Sequence, residues 1–180
     1  MDVSKLQDEI DELTACFTGQ FGHLTKEQLN WRPDTETWSI AQNIEHLIKI
    51  NESYTPILEK LNTNQLTLSW VAKWNWLCRQ FGNMILKSVD PDRKKRIKTF
   101  SIWEPQINEQ EEHLLSDFIK HQEQLKNQIK AFSHLQKQVI HSPANKNIVY
   151  PLGHAFAILV KHEKRHFNQA KEVLEQMSQT

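Results

Sequence analysis

Chain breakers are scarce in this sequence of 180 residues. Four Gly and six Pro leave little material for a turn-rich β fold and favour long helices. Cysteine is scarcer still. Cys16 and Cys78 are too few for a disulfide scaffold and lack CxxC spacing; both fall in helical, partly apolar patterns and read as reduced packing residues. Neither sign of charge is in excess, since 22 Lys and Arg balance 22 Asp and Glu. That balance lacks the basic footprint of a nucleic-acid binder. No apolar run approaches the roughly 18 residues that span a membrane. The first twelve residues are charged and periodic, without the apolar stretch of a secretory leader, so the expected compartment is the cytoplasm with no membrane partner.

What the sequence does hold is an ordinary globular composition, 38% hydrophobic and 24% charged, at a length suited to a single domain over residues 1–180. Val3, Leu6, Ile10, Leu13 and Phe17 alternate steps of three and four, which predicts an amphipathic helix over 2–21. A polar connection over 22–38 follows. Ser39 is a plausible N-cap for a second helix reaching about residue 61, which Pro56 would kink or shorten. Residues 68–89 are rich in tryptophan, with Trp70, Trp74, Leu77, Phe81 and Ile85 at helical spacing, and predict a shorter additional helix stopped by Asp90-Pro91-Asp92. Trp70, Trp74 and Trp76 read as core or dimer packing in preference to a substrate wall. The basic run 93–98 reads as a solvated loop. A third long helix is expected over 108–135, with Leu115, Phe118, Leu125, Ile129 and Phe132 as its stripe and Gln122 interrupting it. After a loop over 142–150, a fourth long helix runs over 151–177, with Pro151 in its first turn. No segment alternates convincingly with period two. The pattern is an all-α four-helix bundle with a helical insert between its second and third long helices.

The nine histidines matter through position. On a wheel of about 100° per residue, Leu152, Ala155, Leu159, Ala170, Val173 and Met177 mark the buried side of the fourth helix, and His162 and His166 fall inside that sector one turn apart. His154 lies well off it. Leu47, Ile50, Tyr54, Ile57 and Leu61 mark the inward side of the second helix, with His46 at its edge. Three imidazoles can therefore meet in one interior, either as ligands of one divalent ion or as hydrogen-bonded core residues. His23, His113, His121, His134 and His141 stand in loops or polar surroundings and read as solvated. His162-Glu163-Lys164-Arg165-His166 also satisfies the HExxH pattern of zinc proteases, in which the Glu activates water. Glu172 stands where the longer motif expects a third histidine, and Gln169 where it expects glycine, so the protease reading fails.

Two stretches carry a resemblance. Trp38-Ser39-Ile40-Ala41-Gln42-Asn43-Ile44-Glu45-His46-Leu47, together with residues 153–169 ending in His162-Glu163-Lys164-Arg165-His166-Phe167-Asn168-Gln169, resembles the DinB-like superfamily of YfiT-type four-helix metalloproteins. The stretch Phe100-Ser101-Ile102-Trp103-Glu104-Pro105 is similar to that family's aromatic-proline stretch before the third helix. The resemblance spans nearly the whole chain. It implies an up-down-down-up bundle, one nickel or zinc ion held by His46, His162 and His166 with water-filled open positions, and dimers among relatives. It also implies one of two enzymatic activities, thiol S-transfer or metal-dependent hydrolysis; a metal- or ligand-binding stress protein without turnover is the third reading. Such an ion could generate hydroxide from bound water or a thiolate from a bound thiol. Relatives of known activity favour the thiol route, with bacillithiol, mycothiol or glutathione. Among nearby polar residues, Asn43, Glu163 and Gln122 are candidates for supporting the ligands or the substrate, with a structural hydrogen bond the competing role. Arg165 and Gln169 flank the histidines and are candidates for binding a carboxylate on the thiol.

Overall fold

A computed structural model describes residues 2–92, 99–106 and 113–179. Four long helices form the frame: α1 (Val3–Phe21), α3 (Ile40–Asn62), α5 (Leu114–Ala131) and α6 (Leu152–Met177). Between them lie two smaller helices, α2 (Lys26–Asn30) and α4 (Asn75–Ser88), and a hairpin of β1 (Val139–His141) and β2 (Val149–Pro151).

Side-chain contacts fix the directions of the four helices. Gln7 and Asp11 of α1 meet Lys126, whereas Phe17 meets Phe118, so α5 runs against α1. Glu52 pairs with His121 and Thr55 with Gln128, so α3 and α5 run the same way. Asn43 reaches His166 and Asn51 reaches Glu163, so α6 runs against α3. The result is the up-down-down-up order. Two apolar clusters fill the interior. One joins Leu6, Ile10 and Leu13 to Ile129, Phe156 and Leu159; the other joins Phe17 and Phe21 to Ile44, Phe118 and Val173. The buried polar residues include His46, Asn43, Gln122, Glu163 and His166.

Local chemistry sets the element ends. Ser39 caps α3 in a reciprocal capping box with Gln42. Pro56 sits inside α3, which continues to Asn62, so the proline does not shorten it. The connection expected over 22–38 contains α2, opened by a capping box between Thr25 and Gln28. The tryptophan-rich segment is divided: a 3-10 turn (Trp70–Lys73) precedes α4. There the core reading of the tryptophans is overturned, because Trp70, Trp74 and Trp76 are 72%, 53% and 61% exposed. Residues 107–112, including the expected start of the third long helix, and the basic run 93–98 lie outside the described residues. Leu114, not Leu115, heads the buried stripe of α5. The helix stops at Ala131, and a 3-10 turn (Ser133–Leu135) completes the expected span.

The hairpin replaces part of the expected loop. Its strands pair antiparallel with Ile140 opposite Tyr150, and at three residues each they are too short to carry a legible alternation. Pro151 accordingly closes β2 and caps α6 from outside the first turn. Cys16 is exposed on α1, which corrects its reading as a packing residue; Cys78 is buried, and both are free thiols. Among the described residues no helix is long and apolar enough to cross a membrane.

Candidate metal centre

His46, on the second turn of α3, meets His162 and His166 on the middle of α6. The capping box at Ser39 fixes where α3 starts, and therefore which residue of its second turn faces inward. One ring nitrogen from each of the three histidines lies within 4.8 Å of the other two. His166 Nε2 and His162 Nε2 are 3.2 Å apart, and the His46 ring centroid is 4.6 Å from that of His166 and 5.2 Å from that of His162. His46 and His166 are buried, and His162 is half-buried.

The rear nitrogens decide the tautomers. His166 Nδ1 donates to Asn43 Oδ1 at 2.7 Å, and the same amide donates from Nδ2 to the Ser39 carbonyl at 2.8 Å, which fixes the orientation of its oxygen. His46 Nδ1 donates to the Trp103 carbonyl at 2.6 Å. An acceptor behind each ring places the proton on Nδ1 and leaves Nε2 a bare lone pair facing the other rings. Burial holds all three histidines in the neutral form. It drives His46 down to about 4, and His162 and His166 well below the ordinary histidine range, with the neighbouring imidazoles adding to the effect on His162 and His166 only. Two inward lone pairs and at most one inward proton form a donor set that a divalent cation satisfies, and the cluster could hold one.

Residues 99–106 form a strap over α3 that supplies the Trp103 carbonyl. Trp103 Nε1 donates to Ser53 Oγ at 3.1 Å, Lys49 Nζ to the Glu104 carbonyl at 3.0 Å, and Gln106 N to Glu45 Oε2 at 3.0 Å. Trp38 flanks the trio, with its ring 4.8 Å from that of His46 and nearly parallel to that of His166 at 5.9 Å.

The other candidates separate. Asn43 supports His166 directly. Glu163, expected at the edge of the buried sector, is 0% exposed and accepts from Asn51 Nδ2 at 2.9 Å and Gln122 Nε2 at 2.8 Å. Burial pushes its carboxyl up to about 7 against those two donors. Arg165 is buried among other partners, with Nη1 donating to the Ser88 and Asp90 carbonyls at the end of α4. Gln169 is half-buried, and among the described residues no hydrogen bond joins it to the histidines. His154, off the inward face as expected, packs on Gly82 of α4. Of the histidines read as solvated, His121 pairs with Glu52 at 3.2 Å and His141 lies in β1, half-buried. The sequence reading missed Asn51 and the Trp103 carbonyl. Asn51 had a signal in its place between the inward Ile50 and Tyr54, whereas a backbone carbonyl carries none.

A profile of the DinB superfamily matches residues 9–170, a span that takes in all three histidines and the residues behind them. The chain belongs to the DinB superfamily. No curated protein and no solved structure matches it. Within this DinB-superfamily chain, the two stretches that carried the resemblance are the two that meet: Asn43 and His46 from the first, His162 and His166 from the second.

Proposed function

We propose that this chain is a cytoplasmic, single-domain protein over residues 1–180. In this reading it holds one divalent ion, zinc or nickel, through His46, His162 and His166, and transfers a low-molecular-weight thiol to small electrophiles. The observation that carries the reading is the pair of rear hydrogen bonds, His166 to Asn43 and His46 to Trp103, which turns two Nε2 lone pairs toward one point. Structural histidines need no such agreement, whereas ligating imidazoles do.

An ion there would supply Lewis acidity to a thiol or a water. Three neutral imidazoles add no charge of their own, so the full double positive charge is left to act on that group. The chain's own residues orient and cover the site: Asn43 and Trp103 hold the rings, and Trp38 lies against two of them. The position of Glu163 weighs toward thiol transfer over hydrolysis. The carboxylate that the HExxH pattern would offer as a base for water is instead bonded to Asn51 and Gln122. The exposed Trp70, Trp74 and Trp76 support a homodimer, since tryptophan is enriched at protein interfaces.

The test is to load the protein with zinc or nickel and follow the loss of thiol across a panel of small thiols with one electrophile. The expected result is acceleration with at least one thiol, abolished in His46→Ala. Equal rates with and without protein across the panel would overturn thiol transfer. Turnover of an ester or amide without any thiol would select hydrolysis. Sedimentation of the wild-type protein at micromolar concentration is expected to give twice the chain mass.

A further inference from the structure

Glu163 stands at the position where the HExxH pattern places a catalytic base, yet its two carboxylate oxygens are turned to two other helices. Oε1 accepts from Asn51 of α3 and Oε2 from Gln122 of α5, with Glu163 itself on α6. All three residues are buried, at 6% exposure or less. A single side chain thus ties together three of the four long helices, in a layer adjoining the histidines. His162 is its immediate neighbour in sequence, and His46 lies five residues before Asn51 on the same helix.

We infer that Asn51, Glu163 and Gln122 form a positioning clip, resting on the reading of the trio as a metal site. The clip fixes how far α3 stands from α6, and so the distance across which His46 meets His162 and His166. Glu163 is therefore a positioning residue and not a base. The physical reason is the steep cost of misplacing buried polar groups. If α3 slides or tilts, Asn51 and Glu163 lose each other while Gln122 still holds the other carboxylate oxygen in place, so α3 and α6 have one arrangement that satisfies the whole clip. Apolar side chains at these positions would permit neighbouring registers at little cost. Gln122 Oε1 has no hydrogen-bond partner among the described residues. The clip therefore offers one acceptor to a donor, and an amide at position 163 would supply it.

That acceptor makes the test specific. In Glu163→Gln, the new amide can accept from Asn51 and donate to Gln122 Oε1 after Gln122 turns over, so the bridging survives while any base function is lost. In Glu163→Ala the bridging is lost. Cobalt(II) binding, followed by its visible spectrum and by competition with a chelator, reads the geometry without reference to activity. Wild type and Glu163→Gln are expected to agree in spectrum and, within about threefold, in affinity. Glu163→Ala is expected to bind on the order of 10- to 100-fold more weakly with an altered spectrum. If Glu163→Ala does not fold, Asn51→Ala, which removes the bond between α3 and α6, takes its place with the same expectation. Folded clip variants that bind cobalt with the wild-type affinity and spectrum would overturn the inference, and so would a Glu163→Gln protein as impaired as the alanine variant. Failure of the wild-type protein to bind cobalt would instead overturn the metal reading on which the clip rests.

Discussion

Asn43 Oδ1 accepts from His166 Nδ1 at 2.7 Å, across 123 residues of sequence, while its own amide is held by the Ser39 carbonyl one turn earlier. The capping serine of α3 is thereby linked through one side chain to a ring on α6. Replacing Asn43 by Leu removes the acceptor, frees the His166 ring to rotate and lets its proton move to Nε2. The expected result is a loss of metal affinity on the order of 10- to 100-fold. Asn43→Asp keeps an acceptor for His166 but loses the donor to the Ser39 carbonyl, so it should retain more affinity than Asn43→Leu without matching wild type. Chelator competition at pH 7 measures both.

The metal-free protein should lose stability in acid, and the slope can be reasoned out. The three histidines are depressed in the folded state, so between about pH 4.5 and 6.5 protons bind them mainly in the unfolded chain, and acid favours unfolding. Glu163 is raised to about 7, so in the same window it holds a proton mainly in the folded state and opposes the trend. Three protons against one leave the unfolded chain ahead by about two. Stability should therefore rise with pH through this window by on the order of 2 kcal/mol per pH unit and level off above pH 7. Urea titrations at pH 5.0, 6.0 and 7.5 check the slope, and a flat profile would contradict neutral buried imidazoles.

Gly82 of α4 packs against His154 of α6. A Cβ built there would lie 2.5 Å from His154 Cδ2 and 3.0 Å from His154 Cβ, too close for the ring to swing clear. Gly82→Ala should destabilise the protein by about 1–3 kcal/mol, although alanine is the better helix former. Combined with His154→Ala, the cost should largely disappear. A thermodynamic double-mutant cycle from thermal or urea melts measures the coupling.

Arg165 donates to the Ser88 and Asp90 carbonyls where α4 ends, and Lys161 pairs with Asp90 beside it at 2.7 Å. A cation there satisfies terminal carbonyls and suits the helix dipole. Arg165→Met should therefore cost about 2–3 kcal/mol of stability. The KM for any thiol substrate should stay unchanged, and a raised KM with an unchanged melting temperature would restore Arg165 to the candidate binding site.

The long helices were legible because burial repeats along them. Val3, Leu6, Ile10, Leu13 and Phe17 announce α1, and the inward sector of α6 already contained His162 and His166. Single-helix periodicity also places Glu163, but only as a side chain near a boundary. α2 left a readable signature in Thr25 and Gln28, whereas the three-residue strands gave too few positions for alternation to appear.

The amino-acid order by itself determined the bundle, its insert and the three imidazoles, since each follows from the angle a residue takes about its own helix axis. Tertiary structure alone decided which atom faces which. It turned Asn43 to His166, brought the Trp103 carbonyl behind His46, gave Glu163 to Asn51 and Gln122, sent Arg165 to the end of α4 and left three tryptophans exposed. Those pairings join residues up to 123 positions apart. Helical spacing reports depth of burial but carries no information about the neighbour, whose identity emerges only when separate helices pack.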